Sequence, residues 1–123
     1  MSDRLHEWHG KRVLEIATEG SRLEGERDAL DLIGAAYGHH PDWIALPVAR
    51  CSDAFFALRT RVLGDVVQKL VNYGLRVAIV GDVSAWVAAS DALRDFVREA
   101  NRGGQVWFVA DLGELAQRLA PRA

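Results

Sequence analysis

The stretch Leu75–Val80 (LRVAIV), stopped at once by Gly81-Asp82, limits the possible folds more than any other part of this chain. Apart from Arg76 it is apolar and rich in branched residues, without the apolar–polar alternation of a half-exposed strand. A run of this kind must be covered on both faces, which is the environment of a central strand in a parallel sheet. Parallel neighbours need crossover connections of a dozen or more residues, usually helical. Arg76–Gly81 is therefore taken as the centre of a sheet, with helices expected on either side of it in the sequence.

The flanking segments fit. Arg12–Thr18 (RVLEIAT) is strand-like, with Glu15 marking an edge or half-exposed position, and Arg22–Leu23 could add a second, paired strand. From Glu26 to Tyr37 the residues Ala29, Leu32, Ile33 and Ala36 recur at helical spacing and Gly38 supplies a stop. Trp43–Val48 reads as a short apolar strand whose ladder Pro47 limits. Ser52 or Asp53 caps what should be the longest helix, running to Tyr73, with an apolar stripe of Phe56, Leu63, Val67 and Leu70. Ser84–Ala89 is a short turn or helix, and a clearer helix begins at Ser90. Gln105–Ala110 is a further buried strand. Asp111, with Glu114 three residues on, has the spacing of a capping box for a last helix. The order β(β)αβαβαβα implies parallel pairing with right-handed crossovers. The expected fold is α/β, a small and mostly parallel sheet of four to five strands with helices packed on it. Residues 1–10 are expected as a polar N-terminal segment and 11–123 as a single domain.

Composition narrows the functional classes. With 15 basic and 17 acidic residues among 123, and no basic tract, nothing draws the chain to nucleic acid or to an anionic membrane. No apolar run approaches the roughly 20 residues that cross a bilayer. The single cysteine, Cys51, forbids an intrachain disulfide. The polar start is unlike a signal peptide, and a cytoplasmic setting is expected.

Four groups of residues together resemble a bacterial family known only as domain-of-unknown-function family 4180. These are Phe55-Phe56-x-Leu58-x-Thr60, Gly64-x-x-x-Gln68-Lys69-x-x-Asn72-Tyr73, Val80-Gly81-Asp82-x-Ser84, and Leu93-Arg94-Asp95-Phe96-x-x-Glu99-x-Asn101-x-Gly103. The resemblance spans about Glu26 to Leu119, and the chain departs from it at Arg61, where a small residue would be expected. It implies no activity. More loosely, the strand–helix order is similar to STAS-like regulatory domains, and the individual units to Rossmann-like repeats. In STAS-type domains, which bind partner proteins, a serine opening the helix after a middle strand can be phosphorylated. Ser52 stands in a comparable place, although Arg50-Cys51-Ser52-Asp53 does not reproduce that signature.

In open parallel sheets ligands bind beyond the carboxyl ends of the strands. That edge should collect Arg50, Ser52, Asp82, Ser84 and Asp111, the ligand-binding candidates, although Ser52, Ser84 and Asp111 are equally residues that cap helices. Gly81-Asp82-Val83-Ser84 lacks the spacing of a phosphate loop. Asp82 and Asp111 could hold Mg²⁺ as neighbouring carboxylates, a pattern that also arises by chance. The pair His6/His9 and the run His39-His40-Pro41-Asp42 complete no metal spacing, and no catalytic residues, metal or cofactor are expected. Arg94, Arg98 and Arg102 each follow an acid three residues earlier, so that helix reads as a salt-laced exposed face. Thr60 and Gly64 interrupt the apolar face of the long helix, and Trp86 lies among small residues. These three are the interface candidates. The reading preferred from sequence is a non-enzymatic regulatory or protein-interaction module with a protein partner, or a second copy in a homodimer. The alternative is a small ligand-binding domain or enzyme with a strand-end pocket around Asp82.

Overall fold

The computed structural model describes residues 3–121, so the first two residues of the polar N-terminal segment lie outside it. Among these residues five strands form one sheet in the order β1-β2-β3-β4-β5: Arg4–Trp8, Lys11–Glu15, Trp43–Pro47, Arg76–Val80 and Val106–Val109. The pairs β2–β3, β3–β4 and β4–β5 are parallel, and β1 pairs antiparallel with β2. The strand anticipated as central, β4, is interior, with Val77, Ala78 and Ile79 fully buried, but the middle strand of the five is β3.

Among the described residues six α-helices connect or follow the strands: α1 (Glu26–Ala36), α2 (Asp53–Phe56), α3 (Val62–Asn72), α4 (Ser84–Ala89), α5 (Asp91–Arg102) and α6 (Leu112–Leu119). Each parallel strand pairs with the next in sequence, so right-handed crossovers put the connecting helices on one face. The core agrees. Leu14, Ile44, Leu46, Val77, Ile79 and Phe108 from alternate strand positions form one cluster with residues of α1, α2, α3 and α5. The opposite face gathers Val13, Trp43, Ala45, Ala78 and Val109 under Leu115 of α6. Trp107 tilts against Trp43 there, with ring centroids 4.2 Å apart.

Three elements differ from the sequence expectation. The first is the N-terminal segment. Residues Arg4–Trp8 were set apart from the domain, yet they form the edge strand β1. The turn joining β1 to β2 is His9-Gly10, both residues left-handed at φ 53° and 79°. That is the two-residue turn whose twist matches a hairpin. His6 bonds Glu15 across the hairpin at 2.8 Å and stacks on Trp8. The second is the pairing suggested for Arg22–Leu23, which amounts to a single parallel bridge from Leu23 to Cys51.

The third is the long helix. A continuous helix from Ser52 to Tyr73 would extend about 33 Å, twice the roughly 16 Å of a five-residue strand. The chain breaks it. After α2, Ala57 is extended and Leu58–Thr60 form a 3₁₀ turn. The Thr60 hydroxyl bonds the carbonyls of Ala54 (2.6 Å) and Ala57 (2.8 Å), which occupies acceptors that a continuing helix would have used. The next residue, Arg61, is left-handed at φ 65°. Helix α3 then restarts, and its 11 residues rise about 16 Å, matching β4. The position where the resemblance calls for a small residue is thus one held in left-handed geometry. Lys69 of α3 also pairs across to Glu26 of α1 at 3.3 Å.

The two sheet edges differ. On β5 the outward Phe108 N–H donates to Asn101 Oδ1 (2.7 Å), while Arg118 donates to the Asn101 carbonyl (2.7 Å) and lies 4.0 Å over the Trp107 ring. This cluster closes that edge. The edge strand β1 is short and carries Arg4, His6 and Glu7, the usual defence of an open edge. No helix among the described residues is long and apolar enough to cross a membrane.

Left-handed geometry costs a residue with a side chain about 1 kcal/mol, part of which glycine returns as entropy of the unfolded chain. Arg61→Gly is therefore expected to stabilise the fold by about 0.5–1 kcal/mol and to raise Tm by a few degrees. A Tm that is unchanged or lower in thermal unfolding monitored by circular dichroism would show that Arg61 makes a compensating contact.

Candidate functional site

The carboxyl edge of the sheet holds the residues expected to bind a ligand, and each is engaged in building the fold. Arg50 ends the 3₁₀ turn after β3 and reaches across to the connection leaving β2. Its Nε donates to Ser21 O (2.8 Å) and its Nη1 to Ala17 O (3.0 Å) and Glu19 O (3.2 Å). These bonds satisfy carbonyls that would otherwise lack partners. Ser52 is buried. Its hydroxyl donates to Leu23 O (2.9 Å) and accepts from Phe55 N (3.1 Å), so it caps α2 and ties it to the first connection. In that arrangement neither a ligand nor a modifying enzyme reaches the hydroxyl.

The Gly81–Ser84 turn has an equally local explanation. Gly81 stands at φ 138°, and a Cβ there would lie 2.8 Å from Val48 Cγ2. Only glycine meets both conditions, so this position serves close packing between consecutive crossovers. Asp82 Oδ1 accepts from Ser84 N (2.9 Å) and opens α4. Hydrogen bonds from the Ser84 side chain and then its backbone hold the Asp82 carboxyl below its usual range, although the group is fully exposed. Asp111 Oδ1 accepts from Glu114 N (2.8 Å), capping α6 as its spacing implied. Glu114 reaches back to Ala110 N (2.9 Å), one residue before the cap. Among the described residues no group of three or more His, Cys, Asp or Glu side chains comes together. Cys51 is buried with Sγ 3.7 Å from Pro47 O, and burial, outweighing the charge of Arg50, pushes its thiol up to about 12.

Two of the interface candidates also make contacts within the fold, Thr60 while exposed and Trp86 while half-buried. Thr60 stabilises the break between α2 and α3, as described above. Trp86 stacks on Phe56 with centroids 4.3 Å apart, and its indole N–H donates to Asp53 (3.1 Å), fastening α4 to α2. Gly64 differs. It lies exposed on α3, and a Cβ built there would meet nothing within 4 Å. Gly34 on α1 is equally open. The arginine-rich helix α5 is laced as expected, with Arg94 3.5 Å from Asp91 and Arg102 3.7 Å from Glu99.

Open apolar space lies at the other edge of the sheet. Helices α1 and α3 run antiparallel to the strands, so both end at the strands' amino edge, and both end in Tyr-Gly: Tyr37-Gly38 and Tyr73-Gly74. Tyr37 is 90% exposed and Tyr73 57%. Between them lies a recess of about 300 Å³ with Ile33, Ala36, Pro41 and Leu75 in its walls. On the far side of α3 a second recess, of about 420 Å³, is lined by Val67, Phe96, Ala100 and Val106. Sequence reasoning passed over Tyr37 and over its pairing with Tyr73. The available signal was the repeated Tyr-Gly at the ends of two helices that a parallel sheet must bring side by side.

A raised thiol pKa keeps Cys51 protonated throughout the physiological range, and only the thiolate alkylates. Iodoacetamide at pH 8 should accordingly label the folded protein at least about tenfold more slowly than the chain in urea. Rapid labelling of the native state would contradict this burial.

Neither a curated protein nor a solved structure matches the chain. A family model does, over residues 8–119, so that the protein belongs to the family described as a domain of unknown function (DUF4180).

Proposed function

We propose that this chain is a non-enzymatic protein-interaction module that receives its partner at the amino edge of its sheet. One observation carries this reading. Unfilled apolar space and the most exposed aromatic side chain lie at that edge, away from the carboxyl edge where small-molecule sites form in open parallel sheets. At the carboxyl edge Arg50, Ser52 and Asp111 are held by bonds to backbone groups, and Asp82 fixes its own turn. Exposed tyrosines are effective anchors, because a rigid amphipathic ring gives contact area for little lost conformational entropy. The open glycines Gly34 and Gly64 would let a partner approach the outer surfaces of α1 and α3.

A finer reading, as a STAS-like regulatory module of the bacterial cytoplasm, draws support from the sequential strand order with crossover helices on one face. In this reading regulation works through the docked partner. Phosphorylation at Ser52 would first require the bonds to Leu23 and Phe55 to open.

Tagged wild-type protein, a Tyr37→Ser/Tyr73→Ser variant and an Asp82→Ala variant can be compared for retention of protein from a lysate of the native cell. The double tyrosine variant should lose most of the retained partner, about tenfold or more, and Asp82→Ala should retain it fully. Loss with Asp82→Ala alone, or a small molecule that raises the Tm of wild type but not of Asp82→Ala, would instead favour a strand-end ligand site.

A further inference from the structure

The outer edge of β5 is closed by side chains in place of a strand, and the closure depends on α6. The carbonyls of Gln105 and Val109 accept from Val77 and Gly81 on the β4 side. The alternate residues Phe108 and Ala110 therefore turn their N–H groups outward. These two amides, two residues apart, are donors that a sixth strand would use. Each already has an acceptor: Asn101 Oδ1 lies 2.7 Å from Phe108 N, and Glu114 Oε1 lies 2.9 Å from Ala110 N. The two side-chain oxygens stand where a neighbouring strand would place its carbonyls.

Both acceptors answer to α6. Glu114 belongs to that helix. Asn101 belongs to α5, but its backbone carbonyl accepts from Arg118 Nη2 at 2.7 Å. Arg118 follows Glu114 by four residues, on the same face of α6, and bridges from Asn101 to the Trp107 ring. The helix itself is lightly held. It has eight residues, too few to persist in isolation, and Leu115 alone among its side chains is buried. An element with so few buried contacts opens locally at a free energy below that of global unfolding.

From this we propose that α6 is a releasable guard of the β5 edge: its undocking and the uncovering of the Phe108 and Ala110 amides are one event in the folded protein. Arg118 is the positioning residue that joins the two. Docked, the helix closes the edge. Released, it withdraws Glu114 from Ala110, lets go of Asn101, and bares Val13, Trp43, Ala45 and Val109 on the face that Leu115 covers. The opened chain presents outward amides at two-residue spacing beside an apolar face, the pattern to which an extended segment bonds as an added strand.

Native-state hydrogen exchange of the full chain, followed amide by amide in low urea, tests this. The amides of Phe108, Ala110 and α6 should share one protection factor and one urea dependence, at least about tenfold below the protection of Ile79 in β4. Arg118→Ala, which alters neither outward amide nor its acceptor, should lower the protection of Phe108 and of α6 together by about three- to tenfold. Asp111→Ala removes the cap at the opposite end of α6 from Arg118, and should lower both together by about fivefold. An unchanged far-ultraviolet circular dichroism spectrum will confirm that the variants are folded. A Phe108 amide as protected as Ile79 while α6 exchanges faster overturns the proposal. So does a Phe108 amide that both substitutions leave unmoved.

Discussion

The ladder of four short parallel strands, each paired with the next in sequence, is the constraint from which the rest of this structure follows. Parallel pairing forces a crossover between every two strands, and stepping always in one direction places those crossovers on one face. Helices that return the chain antiparallel to the strands must finish at the amino edge. There α1 and α3 end side by side, and there their terminal tyrosines flank a hollow. The remaining face needs a cover of its own, which α6 supplies by laying Leu115 over Val13, Trp43 and Ala78.

The opposite edge shows how the same ladder uses polar residues. Loops that leave the strands there expose carbonyls and amides, and unpaired backbone groups are costly when removed from water. Arg50 gathers three carbonyls of one loop, Ser52 links that loop's end to the start of α2, and Asp111 closes the first turn of α6. The convergence of polar side chains at this edge is real, and its physical role is to hold successive connections against one another. Close packing of Gly81 on Val48 belongs to the same arrangement.

The legible parts of the fold were those set by local pattern. LRVAIV announced a buried strand, Ala29, Leu32 and Ala36 announced the inner face of α1, and Asp111 with Glu114 announced the start of α6. Long-range compensation was not legible. Nothing near Arg4–Trp8 shows that this polar stretch adds a strand, because its stability comes from pairing with β2 and from His6 meeting Glu15 across the hairpin. The break at Ala57–Arg61 was hidden because its residues are acceptable in a helix, and only the geometric mismatch between a 22-residue helix and a five-residue strand argues against continuity. For the site, the residue types at the carboxyl edge were found, but the hydrogen-bond partners of Arg50 and Ser52 lie about thirty positions away. The pairing of Tyr37 with Tyr73 was missed because each looks like an ordinary helix end until the two are seen together.

The strand order has a kinetic consequence as well. Because every strand pairs with its neighbours in sequence, no pairing waits for the closure of a loop longer than one crossover. The entropic barrier to forming the sheet is then met in short instalments, as in a repeat protein that grows unit by unit. The cluster of Asn101, Trp107 and Arg118 at β5 gives such a chain a definite end. By occupying the last outward amide it stops the ladder from recruiting a sixth strand, from its own chain or from another molecule, while the concentration of partly folded chains is highest.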